Sequence, residues 1–169
     1  MYVPQPDGRI VAAGPAPDDS ARTRLPDWHE LLAAFCGHIG DQPDDHPITR
    51  WARALAELHL ARREHPLHVA EIDGRRNELV AHIDDWVAAH TARRPRSQSL
   101  GAVVDGMAAA QVRATHLLRS VDDVTDDRVH SAWFQLASMA DGWTDLVEQV
   151  LGVAPRPLAR PLRSRAAGA

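Results

Sequence analysis

The sequence predicts an all-α protein, a single antiparallel bundle of about five helices with flexible N- and C-terminal tails. Apolar residues recur at helical spacing through most of residues 25–152. No segment alternates apolar and polar residues as a half-buried strand does, and no hairpin turn signal occurs. Helix-start and helix-stop residues separate the apolar stripes, which leaves short connections typical of a bundle.

Two tails of biased composition flank the predicted helical domain. Residues 1–24 are rich in Pro, Gly, Asp and Ala, which predicts a flexible arm. Residues 153–169 place four arginines among prolines, and such a tail either stays solvated or binds an acidic surface. The helical domain is therefore expected over residues 25–152.

The first two helices are delimited by prolines and glycines. The first is predicted to start at Pro26–Asp27 and to break at Gly40, with Cys36 inside the core-facing helix. The second begins after Pro47 and ends at a kink or break near Pro66. Their predicted inward residues are Trp28, Leu31, Leu32, Phe35 and Ile39, then Ile48, Trp51, Ala52, Leu55 and Leu58.

Three further helices complete the predicted bundle. The third lies within His65–His90, and a polar loop over 91–99 follows it. Ser99 is expected to cap the fourth helix, and Gly152 to stop the fifth. The predicted inward residues are Leu100, Val103, Val104, Met107, Thr115 and Leu118 on the fourth, and Val129, Trp133, Leu136, Ala140, Trp143, Val147 and Val150 on the fifth.

One arginine lies near the middle of the apolar stripe of the third helix. At 3.6 residues per turn, Arg76 shares a face with Val69, Ile72, Leu79, Val80, Ile83 and Val87. A charge on a core-facing position must be paired or must face a cavity. His59 on the second helix and Gln111 on the fourth are also polar residues on apolar faces.

Two interpretations of these inward polar residues remain open. In the structural one, Arg76 pairs with Asp73, or across helices with Asp84 or Asp105, and Gln111 satisfies backbone groups. In the functional one, the bundle contains a polar pocket. Its ligand-binding residues are Arg76, Asn77, Asp84 and Gln111, and its catalytic residues are His59 and Asp73.

Composition excludes several other classes of protein. The 169-residue chain has a formal net charge of −4, which argues against bulk binding of nucleic acid. A single cysteine excludes an internal disulfide, and no HExxH motif or glycine-rich phosphate loop occurs. No apolar run reaches membrane-spanning length. We therefore expect a cytoplasmic protein without a metal or another cofactor and without contact with a membrane.

The functional hypothesis is that the protein binds an anionic small molecule. The same site would suit a cofactor-free acid/base enzyme, namely an isomerase, a lyase or a cyclase. The alternative is a non-catalytic accessory or regulatory protein, which binds a protein partner through helix contacts or through the arginine-rich tail. Five tryptophans in short helices also predict a homodimer.

The third helix also carries a family resemblance. Residues 69–84 (VAEIDGRRNELVAHID) resemble IDxxNQxRNDLVxxID, a pattern of a bacterial all-helical family known as domain of unknown function 4254. Arg76–Asn77 and Ile83–Asp84 match its pairs, whereas Ala70 and Asp73–Gly74 depart from it. The similar order of helices extends over about residues 28–155. The resemblance implies a helical fold and assigns no activity.

Overall fold

The computed structural model of the protein describes residues 24–91, 99–121 and 126–152. Within them it is an all-α bundle without strands, which confirms the predicted fold class. The five helices are α1 (Trp28–Phe35), α2 (Pro47–Glu64), α3 (Val69–His90), α4 (Leu100–Ser120) and α5 (Asp127–Leu151). A 3₁₀ turn, Pro66–His68, separates α2 from α3. Residues 1–23 and 153–169 of the two predicted tails lie outside the described residues.

Side-chain contacts give the relative direction of the three central helices. Late in α2, Arg62 bonds to Asp73 early in α3, so these two helices are antiparallel. Late in α3, Asp84 bonds to the backbone of Gly101 at the start of α4, so this pair is antiparallel too. Helices α2 and α4 therefore run in the same direction, and they pack against each other.

Local capping explains where several helices begin and end. Asp27 forms a capping box with Glu30 at the start of α1. The hydroxyl of Ser99 accepts from the backbone N–H of Ala102 at the start of α4, as predicted. Gly152 ends α5 in the left-handed conformation, with φ of +71°, which glycine adopts without steric cost.

The core is continuous across all five helices. Trp143 of α5 is fully buried, and its indole Nε1 donates to the carbonyl of Pro26 at 3.0 Å. This bond ties the last helix to the segment preceding the first one. Other fully buried large side chains are Leu31, Ile48, Leu55, Ile83, Leu100 and Val104.

Three predicted inward positions are wrong. Cys36 is exposed, because α1 ends at Phe35 and Gly37 turns the chain away with φ of +79°. Trp133 and Leu118 expose 38% and 41% of their surface. Helix α5 packs chiefly on α4, so the face of α5 that is covered is narrower than the predicted stripe.

Candidate functional site

Arg76 of α3 forms a two-point ion pair with Asp105 of α4. Its Nε donates to Oδ1 at 3.0 Å, and its Nη2 donates to Oδ2. The two side chains are mostly buried, with 20% and 16% of their surface exposed. The arginine in the apolar stripe is thus paired across helices, as the structural interpretation allowed.

His59 of α2 joins the same carboxylate. Its Nε2 lies 2.8 Å from Oδ1 of Asp105, and only 11% of the His59 side chain is exposed. Because an ionised carboxylate only accepts hydrogen bonds, the proton on this contact belongs to Nε2. That assignment leaves Nδ1 as the ring nitrogen that can exchange a proton with another molecule.

Asp73 and Arg62 extend the network towards solvent. Nη1 of Arg76 donates to Oδ1 of Asp73 at 2.8 Å, and Nε of Arg62 donates to the same oxygen at 3.0 Å. The five side chains therefore form one chain of contacts, in the order His59, Asp105, Arg76, Asp73, Arg62. The two ends of this chain, His59 and Arg62, both belong to α2. Arg76 lies between the carboxylates of Asp105 and Asp73 and binds both.

The network keeps its carboxylates ionised. Burial raises the pKa of Asp105, but hydrogen bonds from His59 and Arg76 outweigh burial and lower that pKa to about 2. The hydrogen bond from Arg62 lowers the pKa of Asp73, with a further contribution from Arg76. The bond to Asp105 in turn raises the pKa of Arg76. Both acids are therefore anions at neutral pH.

The two end members of the network line a cleft between α2 and α4, which we call the cationic cleft. Its volume is about 270 Å³, and its lining residues are His59, Arg62, Arg63, Ala109, Val112 and Arg113. Within the described parts of the chain, Asp73 pairs with Arg62, whereas Arg63 and Arg113 form no ion pair. The opening thus combines a histidine with three arginines and no acidic lining residue.

The other predicted site residues lie elsewhere. Asp84 accepts from Ser99 Oγ at 2.6 Å and from the N–H of Gly101 at 2.9 Å, so it anchors the start of α4. Gln111 is buried and donates from Nε2 to the side chains of Cys36 and Thr115. Asn77 is exposed on α3. The structure brings His59, Asp73 and Arg76 together in one network. Asn77, Asp84 and Gln111 lie outside that network.

Sequence reasoning missed the arginines of the cationic cleft. His59, Arg62 and Arg63 stand at positions i, i+3 and i+4 of one helix, which places them on one face. That spacing is a detectable signal for a cationic surface. Arg113 is separated from them by about 50 residues, so only the packing of α4 against α2 identifies it.

The described residues contain neither a metal-binding cluster nor a membrane-spanning helix. Among residues 24–91, 99–121 and 126–152, no three His, Cys, Asp or Glu side chains are grouped so that they could hold a metal ion. None of the described helices is both long enough and apolar enough to span a bilayer.

Comparisons with known proteins give no relative. Neither protein-family models, nor curated proteins, nor solved structures gave a match to this chain. The family resemblance of residues 69–84 therefore stays a prediction.

Proposed function

We propose that the protein binds a small anionic molecule in the cationic cleft. The observation that carries this proposal is the convergence of three arginines and one histidine on a single opening. A guanidinium group matches carboxylate and phosphate oxygens with two parallel hydrogen bonds. Because Arg63 and Arg113 form no ion pair among the described residues, their donors are available to a ligand.

His59 is proposed as the group that moves a proton in this cleft. Its Nε2 is held by Asp105, an arrangement that fixes the orientation and tautomer of an imidazole ring. The ring lines the cleft, so Nδ1 can serve a ligand held by the arginines. A site of this kind suits a cofactor-free isomerase, lyase or cyclase, because positioning and charge stabilisation supply much of the rate of such reactions.

Arg76 and Asp73 take different parts in this proposal from those predicted by the sequence. Arg76 donates from all three of its nitrogens to two carboxylates, which supports a role in positioning Asp105 and, through it, His59. Asp73 accepts from Arg62, which supports a role in positioning that arginine at the cleft. Neither residue lines the cleft itself.

Titration calorimetry with methyl phosphate and with acetate tests the proposal. Arg113→Met is expected to weaken binding by about tenfold or more, because it removes a charge-assisted hydrogen bond. Arg75→Met is the matched control, since Arg75 is exposed on α3 outside the cleft, and it should bind like the parent. Equal loss in both variants, or no binding of either anion by the parent, contradicts the proposal.

An observation on α5 favours the alternative, a non-catalytic protein that acts through helix contacts. Trp133 and Phe134 are adjacent and expose 38% and 75% of their surface. Aromatic side chains are enriched in protein interfaces, so this pair would suit a protein partner or the predicted homodimer. Sedimentation velocity of the parent and of the Trp133→Ser/Phe134→Ser variant tests this face. A dimer that persists in the variant contradicts a role of this face of α5 in dimer formation.

A further inference from the structure

A second opening, which we call the apolar groove, lies beside the cationic cleft among α1, α2 and α4. Its volume is about 530 Å³, and its lining includes Phe35, Ala56, Leu60 and Val112. Phe35 and Ala56 are buried, whereas Leu60 leaves 50% of its surface exposed. An exposed leucine above a buried apolar floor is a surface that the apolar part of a ligand can cover.

The groove also has polar residues: Gln111 forms a buried wall, and charged or titratable side chains lie around it, namely His38, Arg53, Glu57, His116 and Arg119, of which Arg53 pairs with Glu57. Gln111 exposes only 6% of its surface, and its Nε2 donates to Cys36 Sγ at 3.3 Å and to Thr115 Oγ1 at 3.1 Å. The bond to Cys36 connects α4 to the residue that ends α1, whereas the bond to Thr115 lies within α4. The wall is therefore held in place by contacts within the protein.

The apolar groove and the cationic cleft are neighbours along the same pair of helices. Val112 of α4 lines both openings. On α2, Leu60 of the groove and Arg63 of the cleft are three positions apart, so their side chains project about one turn apart on the same face. A single small molecule can therefore contact both openings at once.

We infer that the ligand is an amphipathic organic anion, with its acidic group in the cationic cleft and its apolar body in the apolar groove. The inference rests on the proposed function, because it takes the cationic cleft as the anchor for the charge. Charge complementarity selects the acidic end, since the cleft has no acidic lining residue and two arginines, Arg63 and Arg113, that form no ion pair among the described residues, whereas the groove is lined in part by Glu57. Because Val112 lines both openings, a molecule anchored in the cleft can extend an apolar substituent into the groove.

Binding of a homologous series of methyl, butyl and hexyl phosphate tests the inference by calorimetry. Each methylene buried in the groove should raise the affinity by about two- to fourfold, so hexyl phosphate should bind at least about 30-fold more tightly than methyl phosphate. Leu60→Ser should reduce this gain while it leaves the affinity for methyl phosphate unchanged. Leu67→Ser is the matched control, because Leu67 is 94% exposed and lines neither opening.

The outcomes separate this inference from the proposed function. A gain with chain length that is reduced by Leu60→Ser and kept by Leu67→Ser supports the inference. Equal affinity for all three phosphates overturns it and leaves anion binding intact. A gain that both leucine variants retain overturns the placement of the chain in the groove. Failure of all three phosphates to bind overturns the proposed function together with the inference.

Discussion

Arg76 and Asp105 face each other across the α3–α4 contact, with two parallel hydrogen bonds between guanidinium and carboxylate. The carboxylate oxygen that accepts from Nε of Arg76 is also the one in contact with His59. One ion pair thus fixes the packing of two helices and the orientation of a histidine on a third.

Loss of the Arg76 side-chain charge should destabilise the fold. Arg76→Met leaves Asp105 and Asp73 without their shared cation, and breaking a mostly buried pair from one side costs about 3 kcal/mol. Urea denaturation measures the free energy of unfolding. Arg75→Met, on the exposed face of the same helix, should change it by less than about 0.5 kcal/mol.

A double variant identifies the cause of that loss. Arg76→Met/Asp105→Leu removes both charges, so it should recover a large part of the stability lost in Arg76→Met alone. A double variant that is less stable than the sum of the single losses would show that the charges are not coupled as the contacts indicate.

The stability of the protein should depend on pH through Asp105. The pKa of Asp105 in the folded protein is about 2, below its ordinary value of 3.8. The unfolded chain therefore takes up this proton first as the pH falls, and the stabilisation present above pH 4 is lost between about pH 4 and pH 2. The expected loss from this group is about 2 kcal/mol. Asp105→Asn should flatten the profile in this range, and an unchanged slope contradicts the assignment.

A close approach of α3 and α4 makes Gly101 sensitive to substitution. A Cβ at this position would overlap the backbone carbonyl of Val80, so Gly101→Ala should cost about 2 kcal/mol through overpacking. Gly74→Ala is the matched control within α3, because apart from its chain neighbours and the adjacent helix backbone no atom lies within 4 Å of its Cβ position. It should stabilise the helix by up to about 1 kcal/mol. Thermal unfolding of both variants measures the difference, and a neutral Gly101→Ala would contradict this helix contact.

Local signals in the sequence predicted the helices and the unusual position of Arg76 within an apolar stripe. Asp27 and Ser99 begin helices because their side chains accept from free backbone N–H groups, and Gly152 ends one because glycine adopts a positive φ. The position of Arg76 within an apolar stripe predicted that its charge needs a partner, and the structure supplies one. These features depend on residues within a few turns of one another, which is why the sequence alone reveals them.

Features that depend on packing between distant segments were less predictable. Asp73, Asp84 and Asp105 were all candidate partners for Arg76. The structure pairs Arg76 with Asp73 one turn away and with Asp105 across helices, and the second pairing depends on the register of α3 against α4. The exposure of Trp133 reflects which helices cover α5, which periodicity does not reveal. The cationic cleft combines residues of α2 and α4, so its arginines look like ordinary surface charges in the sequence.

In the proposed site, His59 is held through Nε2 by Asp105 and faces an anion bound by the arginines of the cationic cleft. The most direct test is a ¹⁵N-resolved spectrum of the histidine rings during titration with methyl phosphate. We predict that the neutral His59 ring is protonated at Nε2 and that its Nδ1 resonance shifts saturably, whereas Arg113→Met weakens the response. A neutral ring protonated at Nδ1, or a His59 signal that does not respond to the anion, would contradict this arrangement.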